Sequence, residues 1–265
     1  MYQNLLFLCL VSLMIFVSFE NAFAISEPIL ITISPSMEHV IFDGKWTNTL
    51  EWKQSSHNPY IFEDDQMTIH LRTAHFRDYI YVFVDPINDL TLDKQKDKAT
   101  ICFDGKNNKS KVHDINDFCF SVLLDNNKGS IFQGNSIDES NSFVQISNPD
   151  NFIAISTVSD ENDRYTTTPH PSYEFKIPIE LLKRSDNYGF YFSVYDASLD
   201  KFYSWPKNST REDPFDIPSP SAWGDIISPD KSLPELNLPI LIFTITTFTI
   251  ILVQSRMKIS NLRYL

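Results

Sequence analysis

The chain has 265 residues, 42% apolar and 14% aromatic, with 22 Lys and Arg against 34 Asp and Glu for a formal charge of −12. That much apolar material excludes a disordered chain, and the acidic balance excludes nucleic acid as a partner, because a phosphate backbone is gripped by clustered Lys and Arg. Six glycines with no GxGxxG or Walker-type run exclude a nucleotide-cradling loop.

From Leu5 to Phe19 the chain is almost purely apolar, and Ala22-Phe23-Ala24 then supplies the small residues a signal peptidase needs. Residues 1–24 read as a signal peptide cleaved after Ala24. Met1–Asn4 lacks Lys and Arg, so an uncleaved N-terminal anchor is the alternative. Beyond it, residues 25–228 consist of short β-branched and aromatic runs bounded by Asp, Asn, Pro or Gly, which predicts an all-β domain. The predicted strands are Met67–Thr73, Tyr79–Asp85, Lys98–Phe103, Phe118–Leu124, Phe152–Val158, Tyr173–Ile177 and Tyr188–Asp196, with one or two helical turns over Pro178–Arg184. About seven strands in some 200 residues suit a two-sheet antiparallel β-sandwich of jelly-roll or immunoglobulin-like type. Residues 229–235, holding Pro229 and Pro234, form a spacer. Residues 236–254 are apolar and uncharged, long enough for a hydrocarbon core about 30 Å thick, and predict a transmembrane helix. Arg256, Lys258 and Arg263 in the tail, residues 255–265, place that tail in the cytoplasm by the positive-inside rule. The expected location is therefore the cell surface, with the sandwich outside the membrane.

Residues 25–235 carry 33 acids and 19 bases. Cys9 leaves with the signal, and Cys102 and Cys119 remain as an even pair in an oxidising compartment. Both sit between apolar neighbours, in Ile101-Cys102-Phe103 and Phe118-Cys119-Phe120, so both sulfurs lie on the face opposite the rings. They read as a disulfide if the two strands form a hairpin, and as buried thiols if they do not. In the last strand Phe190, Phe192 and Val194 form one face and Tyr191, Ser193 and Tyr195 the other; Tyr79, Tyr81 and Phe83 make a similar second face on an earlier strand.

The ordered motifs Phe42-Asp43-Gly44-Lys45-Trp46, Glu51-Trp52, Tyr79-Ile80-Tyr81-Val82, Phe103-Asp104-Gly105, Tyr173–Pro178 and Ala222-Trp223-Gly224-Asp225-Ile226 resemble those of family 9 carbohydrate-binding modules and the wider DOMON-like sandwiches. The resemblance covers roughly residues 38–228. It implies a β-sandwich that binds saccharides without catalysis, often beside calcium, and that frequently serves a glycoside hydrolase, which here would be a separate partner chain. Saccharide faces pack on aromatic rings. Trp46, Trp52 and Trp223 fall in the opening and closing motifs and are assigned to packing. Trp205, read as an exposed loop platform after the Tyr-rich strand, is the first candidate for saccharide binding, followed by Tyr203, Tyr195 and Tyr191. Calcium needs six or more oxygens from loops. Glu63-Asp64-Asp65, Asp85 with Asp89, and Asp104 with Asp114 and Asp117 are the candidate clusters, with Asp104 and Asp117 the chosen pair.

There is no HExxH, no GxSxG and no carboxylate pair that sequence can single out, so no enzymatic site is assigned. Two rivals share the fold. One is a haem-binding sandwich with Met67 and His70 or His170 as axial ligands. The other is a structural or adhesive protein of the cell envelope.

Overall fold

The computed structural model of the protein describes residues 27–135, 143–207 and 217–229. The predicted signal peptide and the predicted transmembrane helix fall outside those residues; among the described residues no helix is long and apolar enough to cross a membrane. The strands are β1 (Ile29–Leu30), β2 (Thr32–Ile33), β3 (Ser56–Phe62), β4 (Met67–Phe76), β5 (Tyr79–Pro86), β6 (Lys98–Asp104), β7 (Asp117–Leu123), β8 (Ser130–Gly134), β9 (Phe143–Ile146), β10 (Ile153–Val158) and β11 (Pro171–Pro178). One helical turn, α1 (Ile179–Leu182), precedes β12 (Asn187–Asp196), β13 (Lys201–Trp205) and β14 (Gly224–Ile227).

Two sheets result. Sheet A runs β1-β14-β12-β6-β7-β8-β9, with β13 also pairing β12; sheet B runs β10-β11-β5-β4-β2, with β3 also pairing β4. Pairing is antiparallel except for β1 with β14 and β2 with β4. All seven predicted strands are present, because each is long enough for its alternation to bury one face. The strands that the sequence pattern missed are mostly short or interrupted. Pro59 sits inside β3, which is tolerated because β3 pairs with β4 alone and is an edge strand.

Inward residues of both sheets merge into one core, in which Ile101, Phe103, Phe190 and Phe192 meet Ile80, Val82, Tyr173 and Phe175. β6 and β7 form the anticipated hairpin with Cys102 opposite Cys119, and the two are bridged. The bridge spans 17 residues and by restricting the unfolded chain adds about 3 kcal/mol.

The segment from Pro35 to Ser55 crosses the outer face of sheet B, where Met37, Trp46 and Trp52 bury Ala74, Tyr81 and Phe83. It is pinned by Glu174, a fully buried carboxyl on β11 that accepts from Trp52 Nε1 at 2.9 Å, Gly44 N at 2.8 Å and Asp43 N at 3.0 Å. Gly44 has φ +89°, and a Cβ there would lie 2.6 Å from the Ser156 backbone, so only glycine fits. The opening motif is thus a packing device.

Candidate functional site

The outer face of sheet A is built differently. Strand register aligns Ser204, Ser193, Thr100, Ser121 and Ser130 as consecutive partners across β13, β12, β6, β7 and β8. Thr100 Oγ1 donates to Ser121 Oγ at 3.2 Å. One row towards the Tyr195 end come Phe202, Tyr195, Lys98 and Leu123; one row the other way come Tyr191, the cystine and Phe132. Small hydroxyls flanked by rings floor a depression of about 300 Å³, lined among others by Lys98, Thr100, Ser121, Asn126, Lys128, Ser130, Phe132, Phe143 and Ile217. Among the described residues no carboxylate lines it. At one end Tyr191 stacks on Trp223 at 6.2 Å and joins Phe143 and Ile217 in an apolar wall over the disulfide.

The four aromatic candidates divide by register. Tyr191 and Tyr195 are on this outer face, Tyr195 half-buried against Phe202 with centroids 4.5 Å apart. Trp205 and Tyr203 are on the other face. Trp205 is not an exposed loop platform: it ends strand β13 opposite Phe192, is 6% exposed, and packs on Tyr60 and Phe190 in the core. A Cβ at Gly224 would lie 2.1 Å from its ring, so the glycine of the closing motif exists to admit Trp205. Trp46, Trp52 and Trp223 all pack, as assigned from the motifs. Sequence reasoning passed over Thr100, Ser121 and Ser130. Single hydroxyl residues in separate strands carry no signal until the register lines them up.

On sheet B the outer face carries a closed polar chain. Ser159 Oγ lies 2.9 Å from His170 Nδ1, and His170 Nε2 lies 2.7 Å from Asp85 Oδ1. The triad-like order has no room for a substrate, since Ser159 is 4% exposed and the other two are fully buried. Burial lowers the His170 pKa, but the Asp85 carboxylate outweighs this and holds it above the usual value. The chain ties the loop before β11 to β5. Beside it, His70 stacks on Tyr165 at 3.6 Å and Arg72 Nε donates to Tyr165 Oη at 2.7 Å. The haem ligands are not assembled: Met67 points into the core, whereas His70 occupies the opposite face of β4 and His170 is bonded to Asp85.

The acidic clusters regroup. Asp104 and Asp117 are cross-strand partners, both fully buried; Asp104 accepts from Lys106 N at 3.0 Å and Lys109 N at 3.1 Å, Asp117 Oδ1 is buried without a hydrogen-bond partner, and the third member Asp114 is engaged by Asn108 and Asn116. Burial raises Asp117 to about 8. Asp85 and Asp89, four positions apart in sequence, separate: Asp85 joins Asp163 and His170, and Asp89 joins Asp97 and Asp196. Within each trio the candidate ligand atoms lie within 4.8 Å of one another. They differ in counter-charge, for Arg72 and His170 stand beside the first, while the charges acting on Asp89 and Asp97 are all carboxylates. Asp89 is raised to about 7, by burial first and then by Asp196 and Asp97. Its Oδ2 is buried without a hydrogen-bond partner. Three hard oxygen donors of this kind fit calcium.

No family model matches the chain, and no curated protein matches it. Among solved structures it is similar to a family 9 carbohydrate binding module from Caldicellulosiruptor kristjanssonii in complex with cellotriose, at 15% identity and TM-score 0.47, covering 80% of this chain and 97% of that one. It is similar also to a family 9 module from the same organism in complex with glucose, at 13% identity and TM-score 0.46, covering 76% and 95%.

Proposed function

We propose that the protein is a non-catalytic saccharide-binding module whose ligand lies along the outer face of sheet A. The row Thr100-Ser121-Ser130, which lines a depression with Phe132 and Phe143 beside it, carries this reading. A hydroxyl side chain both donates and accepts, as a sugar hydroxyl does, and aromatic rings beside the row suit the C–H face of a pyranose. The motif resemblance independently points to the same ligand class.

The signal peptide over 1–24, the spacer over 229–235, the transmembrane helix over 236–254 and the basic tail over 255–265 complete the proposal: the module is displayed on the cell surface. Many copies on one surface turn weak sugar affinity into firm attachment and hold polymer near a separate glycoside hydrolase. The test is binding of the full chain to a panel of neutral and acidic oligosaccharides, alongside Thr100→Val and Ser121→Ala. Wild type is expected to retain at least one glycan class, and each variant to lose about tenfold in affinity. Failure of wild type to bind any glycan, or equal binding by both variants, overturns the reading.

A further inference from the structure

The loop between β6 and β7, residues 105–116, carries chemistry that neither sheet face uses. It holds Asn108-Lys109-Ser110, an Asn-X-Ser sequence of the kind that accepts an N-linked glycan on exported proteins. A second such sequence, Asn208-Ser209-Thr210, falls outside the described residues. An acceptor asparagine must stand clear of the fold, with the hydroxyl residue that follows brought close to its amide. Asn108 is exposed. Ser110 N donates to Asn108 Oδ1 at 3.1 Å, closing an Asx turn that draws these two residues together. Ser110 Oγ donates to Val112 O and so keeps lone pairs for an incoming donor. The Asn108 amide has two N–H groups; Nδ2 donates to Asp114 Oδ2 at 3.0 Å, which uses one and leaves the other for substitution. The backbone on either side is tied down. Asp104 accepts from Lys106 N and Lys109 N, Lys109 Nζ donates to Trp223 O at 2.8 Å and Gly224 O at 2.7 Å, and Ser221 N donates to Ser110 O at 2.9 Å. The same loop holds Val112 at 51% exposure and Ile115 at 65%, two aliphatic side chains standing in water a few residues from the acceptor.

We propose that Asn108 is an N-glycosylation site and that its glycan shields the β6–β7 loop. In the transfer, Nδ2 forms a bond to C1 of a sugar carried as a phosphate ester. The C1–O bond breaks, the phosphate leaves with the bonding pair, and one Nδ2 proton passes to a base of the transferase. Strand register locates the sugar. Asp104 is opposite Gly189 and Ile227 is opposite Asn187, so the loop and the end of β14 lie at one end of sheet A, with Lys98 and Tyr195 at the other. The glycan thus stands beside the end of β14 and away from the Tyr195 border of the saccharide face. The site rests on the cell-surface display proposed above and is independent of saccharide binding.

The test is peptide mass mapping, with fragmentation to the residue, of the full chain isolated from the cells that naturally make it. Asn108 is expected to carry one or more sugar residues. Asn127, exposed between β7 and β8 but followed two residues on by Gly129, is expected bare. Ser110→Ala should abolish the added mass at Asn108, and Ser110→Thr should keep it. Added mass that survives Ser110→Ala overturns the assignment. Bare Asn108 on a chain that protease added to intact cells can reach overturns the site and leaves surface display standing; bare Asn108 on a chain sheltered inside the cells overturns both. For the shielding, trypsin should cut after the exposed Lys111 several-fold faster in wild-type chain made in a host that lacks N-glycosylation. Equal cleavage of the two forms overturns the shielding and leaves the site.

Discussion

The two sheets present outer faces of opposite design. On sheet B, aromatic residues at outward positions of β5 are matched by Met37, Trp46 and Trp52 from a crossing segment, so the face is a second core. On sheet A, outward positions of β6, β7, β8 and β12 hold Thr100, Ser121, Ser130 and Ser193, and among the described residues Trp223 and Ile217 lie over the disulfide end. A similar alternation of apolar and other residues thus produces an aromatic outer face or a hydroxyl-lined one, according to the size and polarity of the outward set. Large rings recruit a lid; small hydroxyls leave a floor.

Four measurements sharpen that contrast. The largest effect is expected at Trp205, which the core claims. Trp205→Ala should cost about 4 kcal/mol in a denaturant titration, and a loss under 1 kcal/mol would return Trp205 to the surface. Next is the pin of sheet B's lid. Glu174→Ala strands three donors and should cost about 3 kcal/mol, with the indole fluorescence of Trp52 shifting to the red as the lid lifts. A smaller effect should appear with pH. Burial first, then the positive charges of His57, Arg72 and His170, lower His70 to about 4. The unfolded chain takes up its proton near 6.5 and the folded chain only near 4, so stability is lost as pH falls between those values. His70→Gln should reduce that slope, by about 2 kcal/mol over the window; a slope identical to wild type would show that His70 is charged within the stack. The smallest stability effect belongs to the open face. Tyr195→Ala should change the midpoint by less than about 1 kcal/mol yet weaken saccharide binding severalfold, and a large destabilisation would mean that this edge is closed as well.

Much of the scaffold was legible in the sequence, for a definite reason. Strands such as β5, β6 and β12 repeat their alternation over seven or more residues, and Cys102 and Cys119 share a parity that only a hairpin turns into a bridge. The motifs behind the family resemblance proved to be packing pieces, with Gly44, Trp52 and Glu174 fastening the lid and Gly224 making room for Trp205. The candidate site was much less legible. Trp205 was misplaced because β13 is five residues long and runs into Pro206, so its two inward rings, Tyr203 and Trp205, looked like loop residues. Asp89, Asp97 and Asp196 span more than a hundred positions and are united by where β5, β6 and β12 end. The hydroxyl row is legible only across strands, so no single segment announces it.

The parallel pair of β1 and β14 has a separate consequence. Ile29 lies beside Ile226 and Leu30 beside Ile227, so the described domain begins and finishes on one seam. Joined there by a short linker, the polypeptide would close into a loop that could be reopened elsewhere, for instance at the exposed turn Glu63–Asp65 between β3 and β4. A circular permutant cut at that turn would display the same faces with its new termini at a different corner, which offers a second, independent point of attachment to a surface.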